Sequence, residues 1–295
     1  MDALTFGYGG GVEVWFRLVD VFCERPLAGN QLCVVPDATG LDGSTMQALA
    51  REIGFSETTF VTQVGEDGYG MRIFTPGQEL PFAGHPTLGT AFVLVSEGRA
   101  RSPLTQTVAA GDFPVEVDAA AGRARMTQLP PEFGPVLEDA SLAASAVGLA
   151  PEDLRSDVPM QVVSTGLPHL MVPVRDLETL RRAERSAEGV AEVCRRVGGE
   201  SMYLFAETKD GVTARMFDWE TGVGEDPATG SAAGPLGAFL ARHRLAGMPG
   251  AVRVRQGEQV GRPSLLEVEV SAEGNSWRVV VEGGVAIVGE GTFRL

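Results

Sequence analysis

The chain opens on alternation. Residues 12–22, VEVWFRLVDVF, switch between apolar and polar positions and are rich in Val and aromatics, which predicts a strand. A turn at ERPLAGN precedes a second apolar strand, QLCVVP. The period then changes. Met46, Leu49, Ala50 and Ile53 share one face at helical spacing, with a capping-box pattern at Ser44 and Gln47 and Gly54 as a stop. SETTFV returns to a strand pattern, followed by a turn at GEDGYG and a strand at MRIFT. PGQELPFAGHP reads as a loop, TLGTAFVLVSEG as a helix of small and apolar residues, and FPVEVD with ARMTQL as a hairpin. PPEFGP, with three prolines, is the best linker candidate. Beyond it come a helical LEDASLAASAVGL, strands MQVVSTG and HLMVPV, and a long helix LETLRRAERSAEGVAEVCRRVG. Strands SMYLFAE and VTARMFDW, a Gly-rich loop and the helix SAAGPLGAFLARH follow. The tail holds four strand-like runs, AVRVRQG, SLLEVEV, WRVVVEGG and VAIVGEG.

These elements repeat. MRIF…ELPFAGH…LGTAF is echoed by ARMF…EDPATGS…LGAF. Gly84 and Gly230 lie 146 positions apart, as do Pro81 and Pro227, and Glu79 and Glu225, while Phe60 and Phe205 differ by 145. The shared order of strand, loop, proline, glycine and small-residue helix implies two similar α/β domains with a cleft between equivalent loops. The period is too long for a solenoid. The expected domains span 12–129 and 130–284, with the C-terminal strand 285–295 a candidate to complete the first.

Composition narrows the class. The 295 residues include 44% hydrophobic positions, enough for a real core. No apolar run reaches membrane-spanning length, and residues 1–11 read as a loose leader without the basic and apolar regions of a signal peptide. The net charge of −15 argues against nucleic acid and anionic membranes as partners. Three cysteines and three histidines, with no CxxC spacing, fit a reducing, cytoplasmic location and leave no expected metal site.

Chemistry gathers on the two Gly-rich loops and on one strand. Each loop precedes a helix whose first turn is small, and the unpaired N–H groups of such a start form an anion site or merely a well-packed cap. Gly84 and Gly230 mark these starts. His85 follows Gly84, its counterpart is Ser231, and Asp226 precedes Pro227 where the first loop has Leu80. Glu57 sits among Thr, Phe and Val. It is either an edge-strand carboxylate facing water or a carboxylate put to use, because a buried charge is costly unless paired. In the frame of Phe60 and Phe205 its counterpart is near Met202, so the duplication has kept a carboxylate on one side only. Desolvation would raise its pKa and suit it to acid/base work.

Four segments carry a family resemblance: DVFCERPLAGNQLCVV, REIGFSETTFV, RIFTPGQELPFAGHPTLGTA and GEDPATGSAAGPLGAFL, in that order. The chain resembles the phenazine-biosynthesis (PhzF-like) isomerases, relatives of diaminopimelate epimerase, over nearly its whole length. The resemblance implies an α+β fold of two pseudo-symmetric domains, each a curved, mostly antiparallel sheet wrapped around a central helix. It also implies an active site between the domains, a homodimer, no cofactor and no metal. The substrate would be a small carboxylate-bearing molecule. Glu57 would be the acid/base, with His85 and Asp226 managing protons and binding substrate. Asn30, Gly84, Gly230 and Ser231 would complete the site. Gln31 and Leu27 depart from the family's usual Pro and Phe, which changes one wall. The racemase relatives carry a Cys in each Gly-rich loop, whereas this chain has His85 and Ser231 there and keeps Cys23, Cys33 and Cys194 elsewhere. A racemase or epimerase, and a catalytically silent binding protein, remain the rival readings.

Overall fold

The computed structural model describes residues 12–219 and 224–295, so the leader and part of the second Gly-rich loop lie outside the described residues. The chain divides into two compact units, Met1–Met126 with Gly283–Leu295, and Thr127–Glu282.

In the first unit, β1 (Glu13–Val21) pairs antiparallel with β2 (Asn30–Val35). Helix α1 (Gly43–Ile53) crosses to β3 (Glu57–Gly65), which runs parallel to β2. Strands β4 (Gly68–Phe74) and β5 (Glu79–Leu80) add antiparallel neighbours. Helix α2 (Gly84–Ser96) leads to β6 (Leu104–Val108), β7 (Gly111–Asp118) and β8 (Arg123–Thr127). Strand β6 lies parallel to β4, and β7 pairs antiparallel with both β6 and β8.

The second unit repeats this plan. Strands β9 (Glu132–Leu137), β10 (Met160–Ser164) and β11 (Pro168–Pro173) are antiparallel neighbours, with α3 (Ala140–Ala146) between β9 and β10. Helices α4 (Leu177–Arg182) and α5 (Ala187–Val197) cross to β12 (Ser201–Thr208), parallel to β11. Then come β13 (Gly211–Asp218), β14 (Glu225–Asp226), α6 (Gly230–His243), β15 (Gly250–Gln256) and β16 (Ser264–Glu273). Strand β17 (Ser276–Arg294) pairs with β16 through its first half and with β1 through its second. This is the α+β arrangement that the family resemblance implies, with a curved, mostly antiparallel sheet around one central helix in each unit. Helix α2 packs on β1, β2, β3, β6 and β7, and α6 on β10, β11, β15 and β16.

The central helices are apolar because sheet encloses them. Every residue of α2 from Gly84 to Leu94 is buried, as is every residue of α6 from Gly230 to Ala241. Glycines let the helices approach the sheet. A Cβ on Gly89 would lie 2.7 Å from Leu32 and 2.9 Å from Val21, and one on Gly237 would lie 2.5 Å from Val268. A matching ion pair recurs outside each helix. Arg72 grips Glu79 at 2.7 and 2.6 Å, and Arg215 grips Glu225 at 2.8 and 2.7 Å. Each guanidinium also lies over a phenyl ring, Phe74 or Phe217, two residues along.

Several sequence expectations change. Asp42, not Ser44, caps α1: its carboxylate accepts the Thr45 N–H at 2.8 Å and the Ser44 hydroxyl at 2.6 Å. Gln47 instead reaches the carbonyls of Thr75 and Pro76. Helix α2 starts at Gly84, which places His85 and Pro86 in its first turn, where a missing N–H costs no intrahelical bond. PPEFGP is no linker, since β9 runs through it. The long helix after β11 is two, because Ser186 starts a new one and the groups between bond elsewhere. Glu184 and Ser186 donate to Val147 and Ala146, and the Ala183 carbonyl accepts from Arg215. The runs WRVVVEGG and VAIVGEG form one strand, β17. Strand β6 is added to the expected elements. Among the described residues no helix is long and apolar enough to cross a membrane.

Register also corrects the repeat. Phe60 lies opposite Arg72, and Leu204 opposite Arg215, so Phe60 corresponds to Leu204 and Glu57 to Ser201, one position before Met202. A slip of one residue reverses the face. Phe60 packs with Phe74 and Met46 of α1, whereas Phe205 meets Phe239 of α6. Ser201 Oγ lies 2.8 Å from Nδ1 of His169, which is 2% exposed. Burial pushes the His169 imidazole down to about 3.

Two predictions follow from this packing. Gly237→Val should cost about 1–3 kcal/mol by overpacking against Val268, read as a lower urea midpoint at unchanged slope. An unchanged midpoint would show that α6 has room to spare. His169 gives a pH signature. The unfolded chain binds its proton below about 6.5 and the folded chain only near 3, so stability is complete above 6.5 and is lost as pH falls through that window. The slope is about 1.4 kcal/mol per pH unit. Denaturant titrations between pH 4 and 7 should show it in the wild type and not in His169→Gln; parallel curves would refute it.

Candidate active site

In the first unit, two parallel strand starts and one helix start place the expected residues together. Glu57 is the first residue of β3 and Asn30 the first of β2. The register sets Leu32 beside Glu57, so Asn30, two residues back, shares their face. His85 is the second residue of α2. Asn30 and His85 are buried, and the Glu57 side chain is 15% exposed.

These groups form a chain of contacts. Ser56 Oγ lies 3.1 Å from Asn30 Oδ1, and Asn30 Nδ2 lies 3.2 Å from His85 Nδ1. His85 Nε2 lies 3.4 Å from Glu57 Oε2. An amide nitrogen only donates, so Nδ1 accepts and the neutral imidazole carries its proton on Nε2, facing the carboxylate. Asn30 thus sets the His85 tautomer. The turn that delivers Asn30 is itself held. The buried Asp20 carboxylate accepts the Leu27 N–H at 2.7 Å, fixing Leu27 at φ 66 as an exposed residue. A Cβ on Gly29 would meet the Val21 carbonyl oxygen at 2.3 Å, so the tight turn needs glycine there. Ser56 and Asp20 were not among the sequence candidates. Ser56 stands inside the SETTFV segment, and Asp20 reads only as one polar position in an alternating strand.

The second unit holds Asp226, Gly230 and Ser231. Asp226 ends β14, at the position Leu80 holds in β5. Ser231 is the second residue of α6, as His85 is of α2. The buried Asp226 carboxylate accepts the Thr229 hydroxyl at 2.6 Å. Gln256 adds three bonds to this loop. Its Nε2 donates to the Asp226 carbonyl at 2.8 Å and to Thr229 Oγ1 at 2.9 Å, and its Oε1 accepts the Thr229 N–H at 3.3 Å. Tyr203 donates to the same Oε1 at 2.8 Å. Gln128 braces the helix start: its Nε2 donates to the Gly230 carbonyl at 2.9 Å, and its Oε1 accepts the Thr165 hydroxyl at 2.6 Å. Sequence reasoning missed Gln256, Tyr203, Gln128 and Thr165. Each lies outside the loop motif, and only strand pairing brings it in.

None of the cysteines belongs to either Gly-rich loop. Cys23, Cys33 and Cys194 are buried free thiols, and burial pushes the Cys33 and Cys194 thiols up to about 12, away from the reactive thiolate. Among the described residues no group of three or more His, Cys, Asp or Glu side chains could hold a metal ion.

Known proteins resemble the chain along nearly its full length. The family of phenazine biosynthesis-like proteins matches residues 19–291. The trans-2,3-dihydro-3-hydroxyanthranilate isomerase of Pseudomonas aeruginosa is 35% identical, covering 95% of this chain and 99% of that protein. A PhzF-family phenazine biosynthesis protein from Bacillus anthracis superposes with a TM-score of 0.86 at 28% identity, covering 96% and 99% of the two chains. A probable proline racemase from Agrobacterium radiobacter shares the fold, with a TM-score of 0.65 at 14% identity over 94% and 92%. On this family match, and on its similarity to named isomerases, the chain is an isomerase belonging to the phenazine biosynthesis-like family.

Proposed function

We propose that this isomerase moves a proton between two carbons of a small carboxylate-bearing substrate, using Glu57 as the acid/base and no metal or organic cofactor. The observation that carries the reading is the ordered chain Ser56–Asn30–His85–Glu57 at the start of α2. In it one carboxylate lies beside one oriented imidazole. The Glu57 carboxylate takes a proton from one carbon and becomes a carboxylic acid. It then returns that proton to another carbon of the conjugated system, ending as it began. The His85 Nε2–H donates to substrate oxygen or to the Glu57 carboxylate. Asp226, Ser231 and the backbone N–H groups at Gly84 and Gly230 hold the substrate's polar groups and the negative charge that develops.

The P. aeruginosa relative acts, by its name, on trans-2,3-dihydro-3-hydroxyanthranilate, and that compound is the substrate to try first. Leu27 and Gln31 stand where the family usually has Phe and Pro, so a ring with different substituents is an equal candidate. The reading also includes a cytoplasmic homodimer with no nucleic-acid or membrane partner, which the family resemblance and the net charge of −15 support.

Glu57→Gln should fold and bind ligand but lose about 10²–10⁴-fold in turnover, the range for removing a proton-transfer group. Proton NMR of the reaction in D2O should show deuterium entering product at one carbon with the wild type, to less than full extent because return of the abstracted proton competes with its exchange with solvent on Glu57, and none with the variant. Equal turnover and unchanged labelling in Glu57→Gln would mean the proton travels through another group.

The thiols give a separate test. Replacing Cys23, Cys33 and Cys194 together by Ala should lower stability by a few kcal/mol and leave kcat within about threefold. Exhaustive chelation should leave kcat unchanged as well. Activity lost to either treatment, with circular dichroism intact, would overturn the proposed chemistry.

A further inference from the structure

We infer that Gln256, with Tyr203 behind it, is the positioning residue that fixes Asp226 and the start of α6 for substrate binding. This inference rests on the reading that Asp226 holds substrate.

The geometry determines every hydrogen in the cluster. A glutamine amide has two donors and two acceptor sites. Here both donors and both acceptor sites of Gln256 are used, by the Asp226 carbonyl, Thr229 Oγ1, the Thr229 N–H and the Tyr203 hydroxyl. The amide cannot be turned over. The Asp226 carbonyl only accepts and the Thr229 N–H only donates, so a reversed amide would put like against like at both. Because Gln256 donates to Thr229 Oγ1, the single hydroxyl proton of Thr229 is directed to Asp226 Oδ2, 2.6 Å away. Asp226 is therefore held as an acceptor through Thr229, and Thr229 is held through Gln256. Burial and the Asp226 charge both push the Tyr203 hydroxyl up, so it keeps its proton and donates.

The backbone beside Gln256 closes on the same loop. Gly257 has φ +83, and a Cβ there would lie 2.5 Å from the Pro227 carbonyl oxygen and 2.3 Å from that of Arg262. Gln256 is 1% exposed and Tyr203 is fully buried, so no water competes for these bonds. Among the described residues the first unit has Leu80 at the position of Asp226 and so no carboxylate there for such a device to hold. The device is specific to the unit that carries Asp226.

The test is a double-mutant cycle on kcat/KM with trans-2,3-dihydro-3-hydroxyanthranilate, paired with crystal structures that need no substrate. Gln256→Leu should lower kcat/KM roughly 10²-fold, mostly through KM, as expected when a binding group loses its fixed geometry. In the Asp226→Asn background the same change should cost less than about threefold, because the two residues act as one unit. Tyr203→Phe should give a milder loss, about 3–10-fold, with the same coupling, and serves if Gln256→Leu does not fold. In the Gln256→Leu or Tyr203→Phe crystal the Asp226 carboxylate should leave its present rotamer or its bond to Thr229. An unmoved carboxylate, or losses that multiply in the double variant, would overturn the inference while leaving Asp226 as a substrate group. Full activity in Asp226→Asn would instead overturn the reading of Asp226, and this inference with it.

Discussion

A helix enclosed by a sheet can carry chemistry only at its end. Along α2 and α6 each turn faces strands on several sides, so their bodies admit only small and apolar residues. The first turn is the exception. Its N–H groups have no partner within the helix and draw polar groups to that end. His85 and Ser231 both stand there, at the second helical position. Close packing supplies the rigidity. With Gly89 and Gly237 against valines and leucine of the sheet, the helix start cannot shift without disturbing the core.

Around this frame the two units have kept the same supports and changed the chemistry. The Arg–Glu pairs and their phenyl rings recur, and they lie outside the central helix. At the inward positions the units differ. Glu57 corresponds to Ser201, Leu32 to His169, and Leu80 to Asp226. The first unit holds its carboxylate beside an imidazole whose tautomer an amide sets. The second holds a carboxylate through a threonine whose proton an amide directs. Both use an amide side chain, Asn30 or Gln256, to fix a group that can itself carry a proton. The buried His169–Ser201 pair shows what the Glu57 position becomes when it is given over to packing.

The sequence by itself determined the elements and the repeat. Alternation marked β1, helical spacing marked α1, and the doubled loop-and-helix motif marked both central helices. Glu57 and His85 drew notice from their own segments, a carboxylate in an apolar strand and an imidazole at a Gly-rich loop, whereas Asn30 entered only through the family resemblance. Tertiary structure decided the rest. The helix after β11 broke in two because Val147, Ala146 and Arg215 supply partners from far along the chain. The frame of the repeat moved by one residue, since a strand's two faces differ only in what covers them, and α1 and α6 are the covers. Gln256, Tyr203 and Gln128 came to the Asp226 loop only by register and packing. A lone glutamine in an alternating strand carries no local mark of the carbonyl it will meet, because that partner is chosen by the pairing of whole strands and not by neighbours in sequence.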